Sequence, residues 1–248
     1  MTENGKKTAI VTGASKGLGL AVVRKLAAAG LNVFACMSGE HEEFLGEKTR
    51  LEKEYGVCIE PIYFDLADSE QIKAAYKSIS SHKIPISMLV NNAGIGHMGL
   101  LQMTRFDDVQ RFYAVNVLAP IFLTQLVVKN MQKNHYGRIV NIVSTAATEV
   151  YEGNSIYGSS KAALSAFTKC AGAEFYRYGI TVNAVAPGLM DTGMAPIFEG
   201  SNPSEPLSRT PLGRKLTVDE VADAVLLFLE DKMNVVNGEI LTVSGGHK

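Results

Sequence analysis

The chain has 248 residues, of which 46% are hydrophobic and 20% are charged, and its formal net charge is −1. This length suits one α/β domain, which we place at residues 1–248, and the composition is typical of a soluble globular protein. The small net charge gives no basic field for nucleic acid or an anionic membrane surface. Because the apolar runs are short and the first residues lack a secretion signal, we expect a cytoplasmic protein that binds neither nucleic acid nor membrane.

The metal and thiol chemistry of the chain is expected to be limited. Cysteines occur at three positions in apolar segments, without CxxC spacing, and are predicted to be reduced core residues: Cys36, Cys58 and Cys170. The five histidines are scattered and make no HExxH motif, so we predict no metal site.

A glycine-rich turn follows the first predicted strand, Thr8–Thr12, and precedes a helix that is predicted to run to Gly30. The backbone N–H groups and the positive end of such a helix favour a bound pyrophosphate. Gly13 and Gly17 let the chain turn and approach a ligand closely, and Gly19 lets the helix pack against the strand. A glycine-rich turn without a ligand is the alternative.

The second predicted strand, residues 32–37, ends without an acidic residue. A carboxylate there would bind the ribose 2′-hydroxyl of NAD, whereas a 2′-phosphate requires a neutral strand end and a nearby cation. Met37 and Ser38 are neutral and Lys16 is basic, so the sequence favours NADP over NAD. Glu40 lies just beyond and argues against this, and Lys16 has the alternative role of a solvated loop cation.

Strands and helices alternate along the chain, which indicates an α/β fold with a parallel sheet and helices on both faces. Five further strands are predicted at residues 57–64, 86–90, 138–143, 180–186 and 238–243, giving seven in all. Pro61 suggests that the third strand is at an edge.

The helices carry their own signals. Asp68 is a plausible N-cap, Thr217 and Glu220 resemble a capping box for a helix through Leu229, and residues 105–133 are predicted to form two helices with a kink or restart at Pro120.

Residues 193–211 lack periodicity and are predicted to be a mobile lid over a substrate.

The stretch from Ser144 to Lys161 brings three reactive groups together. Ser144 follows the fifth strand, and Tyr157 and Lys161 are spaced i and i+4 on the next helix, where side chains are neighbours. A phenol has a pKa near 10, so it requires help to act as an acid or base at neutral pH. We expect the ammonium of Lys161 to favour the phenolate of Tyr157 and lower its pKa. The alternative is a Tyr–Lys pair whose lysine is simply solvated.

Two asparagine-containing segments complete the pattern. The run 91–94, Asn-Asn-Ala-Gly, follows the fourth strand, where amides and a glycine can shape a crevice beside a cofactor. Asn116 lies inside an apolar helical pattern, as either a satisfied core amide or a polar relay.

Taken together, these motifs resemble those of the single-domain short-chain dehydrogenases/reductases over nearly the whole chain. The resemblance implies a doubly wound, Rossmann-type fold with a parallel seven-stranded sheet. It implies a catalytic tetrad of Asn116, Ser144, Tyr157 and Lys161. Asp65 matches the family's adenine-side aspartate. The residues expected to bind the cofactor are Gly13, Ser15, Lys16, Gly17, Leu18, Gly19, Met37, Asp65, Leu66, Asn92, Ala93, Gly94, Tyr157, Lys161, Pro187, Gly188 and Thr192.

The chain is most similar to the 3-oxoacyl-carrier-protein reductases, which implies that NADPH passes a hydride to a ketone, first of all a 3-oxoacyl thioester. Tyr157 would donate the proton, Ser144 would hold the carbonyl oxygen, Lys161 would also grip the nicotinamide ribose, and Asn116 would hold a water that links Lys161 to solvent. Carrier-protein reductases present arginines near the entrance, where Lys129, Lys133 and Arg177 are the candidates here.

Two other functions stay open: an alcohol, sugar or steroid dehydrogenase, and a nucleotide sensor or scaffold without turnover. The resemblance also suggests a homotetramer, or a dimer, built on the helices at residues 116–133 and 155–178 and on the carboxyl end.

Overall fold

The computed structural model describes residues 6–193 and 210–246. Its strands are β1 (Thr8–Thr12), β2 (Asn32–Met37), β3 (Ile59–Tyr63), β4 (Met88–Asn91), β5 (Gly137–Ile142), β6 (Ile180–Pro187) and β7 (Ile240–Val243). They form one sheet in the order β3-β2-β1-β4-β5-β6-β7, and every neighbouring pair is parallel. Strands β1, β2, β4, β5 and β6 are buried throughout, because helices cover both faces of a parallel sheet. The predicted α/β fold class is confirmed.

The helices are α1 (Gly17–Ala28), α2 (Glu42–Tyr55), α3 (Ser69–Ser81), α4 (Phe106–Tyr113), α5 (Ala119–Lys133), α6 (Ser155–Phe175) and α7 (Val218–Leu229). Apolar side chains of α1, α2 and α7 pack on one face of the sheet, and those of α3, α5 and α6 pack on the other. The predicted caps are present. Asp68 Oδ1 accepts from the N–H of Glu70 at 2.9 Å, and Thr217 and Glu220 form the reciprocal capping box of α7.

The region predicted as two helices has a different junction from the one expected. A π-helical turn, Ala114–Leu118, joins α4 to α5, so the helical path continues from Phe106 to Lys133. Pro120 lies in the first turn of α5, where its missing N–H is tolerated. This helical segment is long and apolar enough to cross a membrane by length and composition, but half of its most apolar window is buried inside the fold.

Other sequence predictions need smaller corrections. Strand β3 is shorter than predicted, and β2 is its one partner among residues 6–193 and 210–246, which fits Pro61 in an edge strand. Cys36 is buried as predicted, but Cys58 is partly exposed and Cys170 is exposed. The core prediction for Cys170 was wrong because small residues make the whole of α6 look apolar and hide which face meets solvent. Of the predicted lid, residues 194–209 lie outside the described residues.

The sheet topology creates a crevice at the carboxyl ends of its central strands. Strand β1 lies between β2 and β4, so the connections that follow β1 and β4 leave in opposite directions. Open α/β sheets bind ligands at such a switch point. The glycine turn after β1 and the Asn-Asn-Ala-Gly run after β4 meet here.

Candidate active site

The glycine turn has the backbone conformation that its sequence predicts. Gly13 and Gly17 have φ angles of 66° and 56°, in the left-handed region that favours glycine. A Cβ at Gly19 would collide with the carbonyl oxygen of Gly13, so only glycine fits there. Within the described residues, no side chain caps the start of α1, which leaves the N–H groups of its first turn directed at the crevice.

Asn92 and Thr12 fasten the two halves of the crevice together. The Thr12 hydroxyl accepts from the backbone N–H groups of Asn92 and Ala93, each at 3.0 Å. Asn92 Nδ2 in turn donates to the carbonyl oxygens of Thr12 at 2.9 Å and Gly13 at 3.3 Å. These bonds place Asn92 as a brace behind the glycine turn.

Ser144, Tyr157 and Lys161 meet at the carboxyl end of β5. The hydroxyl of Ser144 hydrogen-bonds the phenol of Tyr157, and Lys161 Nζ lies 5.8 Å from the centre of the Tyr157 ring. Lys161 Nζ also donates to the carbonyl oxygen of Ile142 at 2.9 Å. Tyr157 and Lys161 are 7% and 4% exposed, so both reactive groups are largely removed from water.

Burial dominates the acid–base properties of this pair. It raises the pKa of Tyr157 to about 12, although the hydrogen bond from Ser144 acts in the opposite direction. It lowers the pKa of Lys161 to about 8. The pKa of Tyr157 is therefore raised overall, because the loss of hydration of the phenolate outweighs the hydrogen bond from Ser144, and the lowering effect expected of Lys161 stays a prediction. At neutral pH the tyrosine holds its proton and the lysine is mainly cationic.

Asn116 lies in the π turn and is fully buried. Its Oδ1 accepts from the N–H of Ile95 at 2.9 Å, and its Nδ2 donates to the carbonyl of Ile95 at 3.0 Å and to Ser160 Oγ at 3.2 Å. An ideal Cβ on Gly94 would lie 3.2 Å from Asn116 Oδ1 and 3.3 Å from Lys161 Nζ. Asn116 and Lys161 therefore both approach Gly94, and the water that was expected between Asn116 and Lys161 stays a prediction.

Four of the predicted cofactor residues differ in whether their side chains or only their backbone can contact a ligand. Lys16 is exposed at the start of α1, whereas the side chains of Leu18 and Met37 are buried in the core. Met37 and Leu18 can therefore offer a ligand only their backbone. Asp65 lies just after β3, and its Oδ1 accepts from the N–H of Ala67 at 2.8 Å.

The remaining predicted contacts line the rim. Ser15 is half-buried in the glycine turn, and Leu66 is half-buried beside the α3 and α5 core. Gly188, which follows Pro187, donates its N–H to the carbonyl of Val243 at 2.8 Å. The Thr192 methyl lies 3.8 Å from an ideal Cβ on Gly17, so the segment after β6 reaches the glycine turn.

Three residues that shape the site have no distinct signal in the sequence. Ser160 is fully buried and donates to the carbonyl of Tyr157 at 2.7 Å while it accepts from Asn116. Asn154 Nδ2 donates to the carbonyls of Ala146 and Glu149, which fixes the loop between Ser144 and α6. Tyr151 lines a cavity of about 710 Å³ that begins at Ser144.

A parallel sheet with a glycine turn at its switch point, and a buried Ser–Tyr–Lys group beside it, define a nucleotide-binding oxidoreductase fold. Residues 7–200 match the family model described as short chain dehydrogenase. The chain belongs to the short-chain dehydrogenase family, whose members are oxidoreductases acting on small molecules.

Two curated relatives span almost the whole chain. A 3-oxoacyl-[acyl-carrier-protein] reductase of Aquifex aeolicus is 33% identical over 241 residues, which is 97% of this chain and 96% of the relative. An L-xylulose reductase of Caenorhabditis elegans is 36% identical over 247 residues, or 97% of this chain and 95% of the relative.

A solved structure supports the same fold. A protein from Beutenbergia cavernae, described as an NAD(P)-dependent gluconate 5-dehydrogenase with NADP bound at low occupancy, superimposes with a TM-score of 0.90. It is 28% identical, and the match covers 97% of this chain and 96% of that one.

Proposed function

We propose that the protein is an NADP(H)-dependent reductase that transfers a hydride to a ketone, with 3-oxoacyl thioesters as the first substrate class. The observation that carries this proposal is the contact of Ser144 with Tyr157 beside a buried lysine at the same edge of the sheet as the glycine turn. A proton donor, a donor for the carbonyl oxygen and a cation are then all within reach of one reacting centre.

The crevice fits a nicotinamide dinucleotide. The N–H groups at the start of α1 and the close approach permitted by Gly13 and Gly17 suit a pyrophosphate. Gly94 leaves open the space that a side chain would take beside Asn116 and Lys161. Lys161 and the backbone beyond Pro187 would hold the nicotinamide half, and the bound cofactor would supply the hydride.

The residues of the chain supply the remaining chemistry. The Ser144 hydroxyl donates to the substrate carbonyl oxygen and positions it. Tyr157 donates its phenolic proton to that oxygen, and a pKa of about 12 means that the proton is present at neutral pH. Lys161, still mainly cationic with a pKa of about 8, then stabilises the phenolate that remains. The burial of both groups strengthens this interaction because water does not screen it.

The preference for NADP rests on Lys16, which is exposed beside the glycine turn, and on the neutral end of β2. Dissociation constants for NADPH and NADH, measured on the wild type and on Lys16→Ala, test it. We expect tighter binding of NADPH, and a selective loss of about tenfold for NADPH in the variant, since one phosphate contact is removed. An equal loss for both cofactors, or tighter NADH binding by the wild type, would contradict the NADP assignment.

The substrate class is tested by NADPH oxidation with a panel of ketones: acetoacetyl thioesters, ketoses and steroids. The similarity to a 3-oxoacyl-[acyl-carrier-protein] reductase supports the thioester, for which we expect the highest kcat/KM. NADPH binding without oxidation on any member of the panel would oppose the reductase proposal.

A ketose or polyol is the second candidate, and one observation favours it. The cavity that begins at Ser144 has a mainly apolar surface, but hydroxyl and carboxylate groups also line it, contributed by Thr145, Thr148, Glu149, Tyr151 and Thr242. These groups could serve a polyhydroxylated substrate, because its hydroxyls would find partners among them. The relative that acts on L-xylulose is consistent with this alternative. A higher kcat/KM for a ketose than for acetoacetyl thioesters would establish it.

We also propose a homotetramer. Exposed apolar side chains on the helical path that includes α4 and α5, among them Phe106 and Leu118, are suited to a contact between copies. Light scattering coupled to size-exclusion chromatography would show four chains; a monomer at micromolar concentration would contradict the proposal.

A further inference from the structure

Arg111 is a residue of α4 that lies outside every motif of the candidate active site. Its Nη1 and Nη2 atoms both donate to Asp65 Oδ2, at 3.5 and 3.4 Å. The two residues are 46 positions apart in the chain and join the segment after β3 to the helix after β4. Their side chains are 59% and 43% exposed, so the ion pair contributes little to folding stability.

The topology indicates which end of a dinucleotide lies beside this pair. The reactive groups Ser144, Tyr157 and Lys161 follow β5, so the nicotinamide belongs on that side of the glycine turn. The start of α1 would hold the pyrophosphate, and the other half of the cofactor would then extend toward β2 and β3. Asp65 lies at the carboxyl end of β3, where it would meet the adenine.

The carboxylate of Asp65 is fixed on one side and available on the other. Its Oδ1 accepts from the N–H of Ala67, and its backbone N–H donates to Gln71 Oε1 at 3.0 Å. Gln71 in turn donates to Asp68, the N-cap of α3, so the turn is tied to a helix end. Oδ2 accepts both bonds from Arg111, whereas Oδ1 accepts one bond among the described residues, so Oδ1 keeps an acceptor site for the 6-amino group of adenine.

We infer that Arg111 is a positioning residue for cofactor binding: it anchors Asp65 Oδ2, so that the carboxylate presents the free acceptor site of Oδ1 to the adenine and selects a base with an amino group. This inference rests on the proposed dinucleotide function. Arg111 acts through Asp65, so its effect on NADPH binding depends on the carboxylate being present.

A double-mutant cycle on NADPH binding tests this dependence. The chain contains no tryptophan, so dissociation constants are measured by nicotinamide fluorescence or calorimetry, without any ketone. In the background that retains Asp65, Arg111→Gln should raise the dissociation constant about fivefold, as the loss of an orienting charged hydrogen bond implies. In the Asp65→Asn background the same change should raise it less than about twofold, because the carboxylate that Arg111 orients is gone.

Arg105→Gln is the matched control. Arg105 lies at the start of the same helix and pairs with Asp107 at 3.4 Å, so the same charge is removed from a pair of the same length. We expect its effect on the dissociation constant to be below about twofold in both backgrounds. Arg111→Lys, which keeps the charge but not the planar fork, should give an intermediate value.

A second readout separates positioning from a general charge effect. NADPH is compared with its deamino analogue, in which hypoxanthine replaces adenine. The two cofactors have the same charge. We expect the wild type to prefer NADPH about tenfold and Arg111→Gln to lose most of that preference. Equal losses from Arg111→Gln in the two Asp65 backgrounds, or an undiminished preference for NADPH in Arg111→Gln, would overturn the inference while leaving the reductase proposal intact. If the wild type bound neither NADPH nor NADH, the proposed function itself would fail.

Discussion

Two groups that each contain a lysine and a tyrosine lie at opposite ends of the strands, here called the amino edge and the carboxyl edge of the sheet. At the amino edge, Lys7 Nζ donates to Asp231 Oδ2 at 2.8 Å and to the Tyr136 hydroxyl at 2.9 Å, and Tyr136 donates to Asp231 Oδ1 at 2.7 Å. At the carboxyl edge, Lys161 has a backbone carbonyl partner and lies 5.8 Å from the Tyr157 ring centre. The first lysine has a carboxylate beside it, and the second has a neutral acceptor.

The pKa shifts of the two lysines have opposite signs. Burial tends to lower the pKa of Lys7, but its hydrogen bonds to Asp231 and Tyr136 outweigh burial and the net shift is upward. Burial lowers the pKa of Lys161 to about 8. The same residue types thus form a structural clamp where a carboxylate neutralises the charge, and the proposed reactive site where a carboxylate is not the lysine's partner.

Tyr157→Phe should have the largest effect that distinguishes the two edges. Removal of the proton donor is expected to reduce kcat for ketone reduction by about a thousandfold, within the range for general acid catalysis. The NADPH dissociation constant should change little, since the phenyl ring stays in place. Tyr136→Phe is the control at the amino edge and should retain turnover. Steady-state kinetics and cofactor titration of both variants measure this, and substantial turnover by Tyr157→Phe would refute its role.

The pH dependence of reduction should follow Lys161. Below a pKa of about 8 the ammonium is charged and can stabilise the phenolate, and above it that stabilisation is lost. We expect kcat/KM for reduction to be level below about pH 8 and then to fall about tenfold per unit, as for loss of one required proton. A profile that stayed level up to pH 10 would separate the reaction from the charge on Lys161.

Much of the fold, and the position of the group at the carboxyl edge, could be predicted from sequence. Local patterns were sufficient for the seven strands and the glycine turn. The i, i+4 spacing of Tyr157 and Lys161 was sufficient to place them together, and Ser144 followed from its position after a strand. These features depend on neighbours in the chain, which a sequence displays.

What could not be predicted depends on tertiary surroundings. The direction of the Tyr157 pKa shift is set by burial, and the sequence showed only that a lysine lies one helical turn away. The π turn at Asn116 and the Ser160 contact arise where three segments converge, and no local pattern specifies either. The exposure of Cys170 likewise depends on which face of α6 packs on the sheet.

Lys161→Met should stabilise the protein while it abolishes efficient turnover. The pKa of Lys161 is lower in the folded chain than its usual 10.5, so the charged form favours unfolding, and wild-type stability should rise as the pH increases from about 8 toward 10.5. At pH 7 the neutral side chain should raise the free energy of unfolding by about 1–2 kcal/mol, after the lost bond to Ile142 is allowed for. Urea unfolding measures this, with exposed Lys169→Met as control. A destabilised Lys161→Met variant would show that the buried ammonium does not lower the free energy of unfolding.

Asp231→Asn at the amino edge should give the smallest effect and the opposite sign. The hydrogen bonds from Lys7 and Tyr136 lower the pKa of Asp231, so the stability it contributes is present above about pH 4, its unfolded value, and is lost as the pH falls through the lower folded value. Its side chain is 63% exposed, so solvent screening should limit the loss in Asp231→Asn to about 0.5–1 kcal/mol at pH 7. Urea unfolding at pH 7 and pH 3 should show a difference from wild type that shrinks on acidification and in 1 M salt, with kcat unchanged. The ion pair is too exposed and too distant from Tyr157 to act on the reacting atoms directly. A large loss of kcat in this variant would therefore mean that the clamp at the amino edge is coupled to the chemistry at the carboxyl edge.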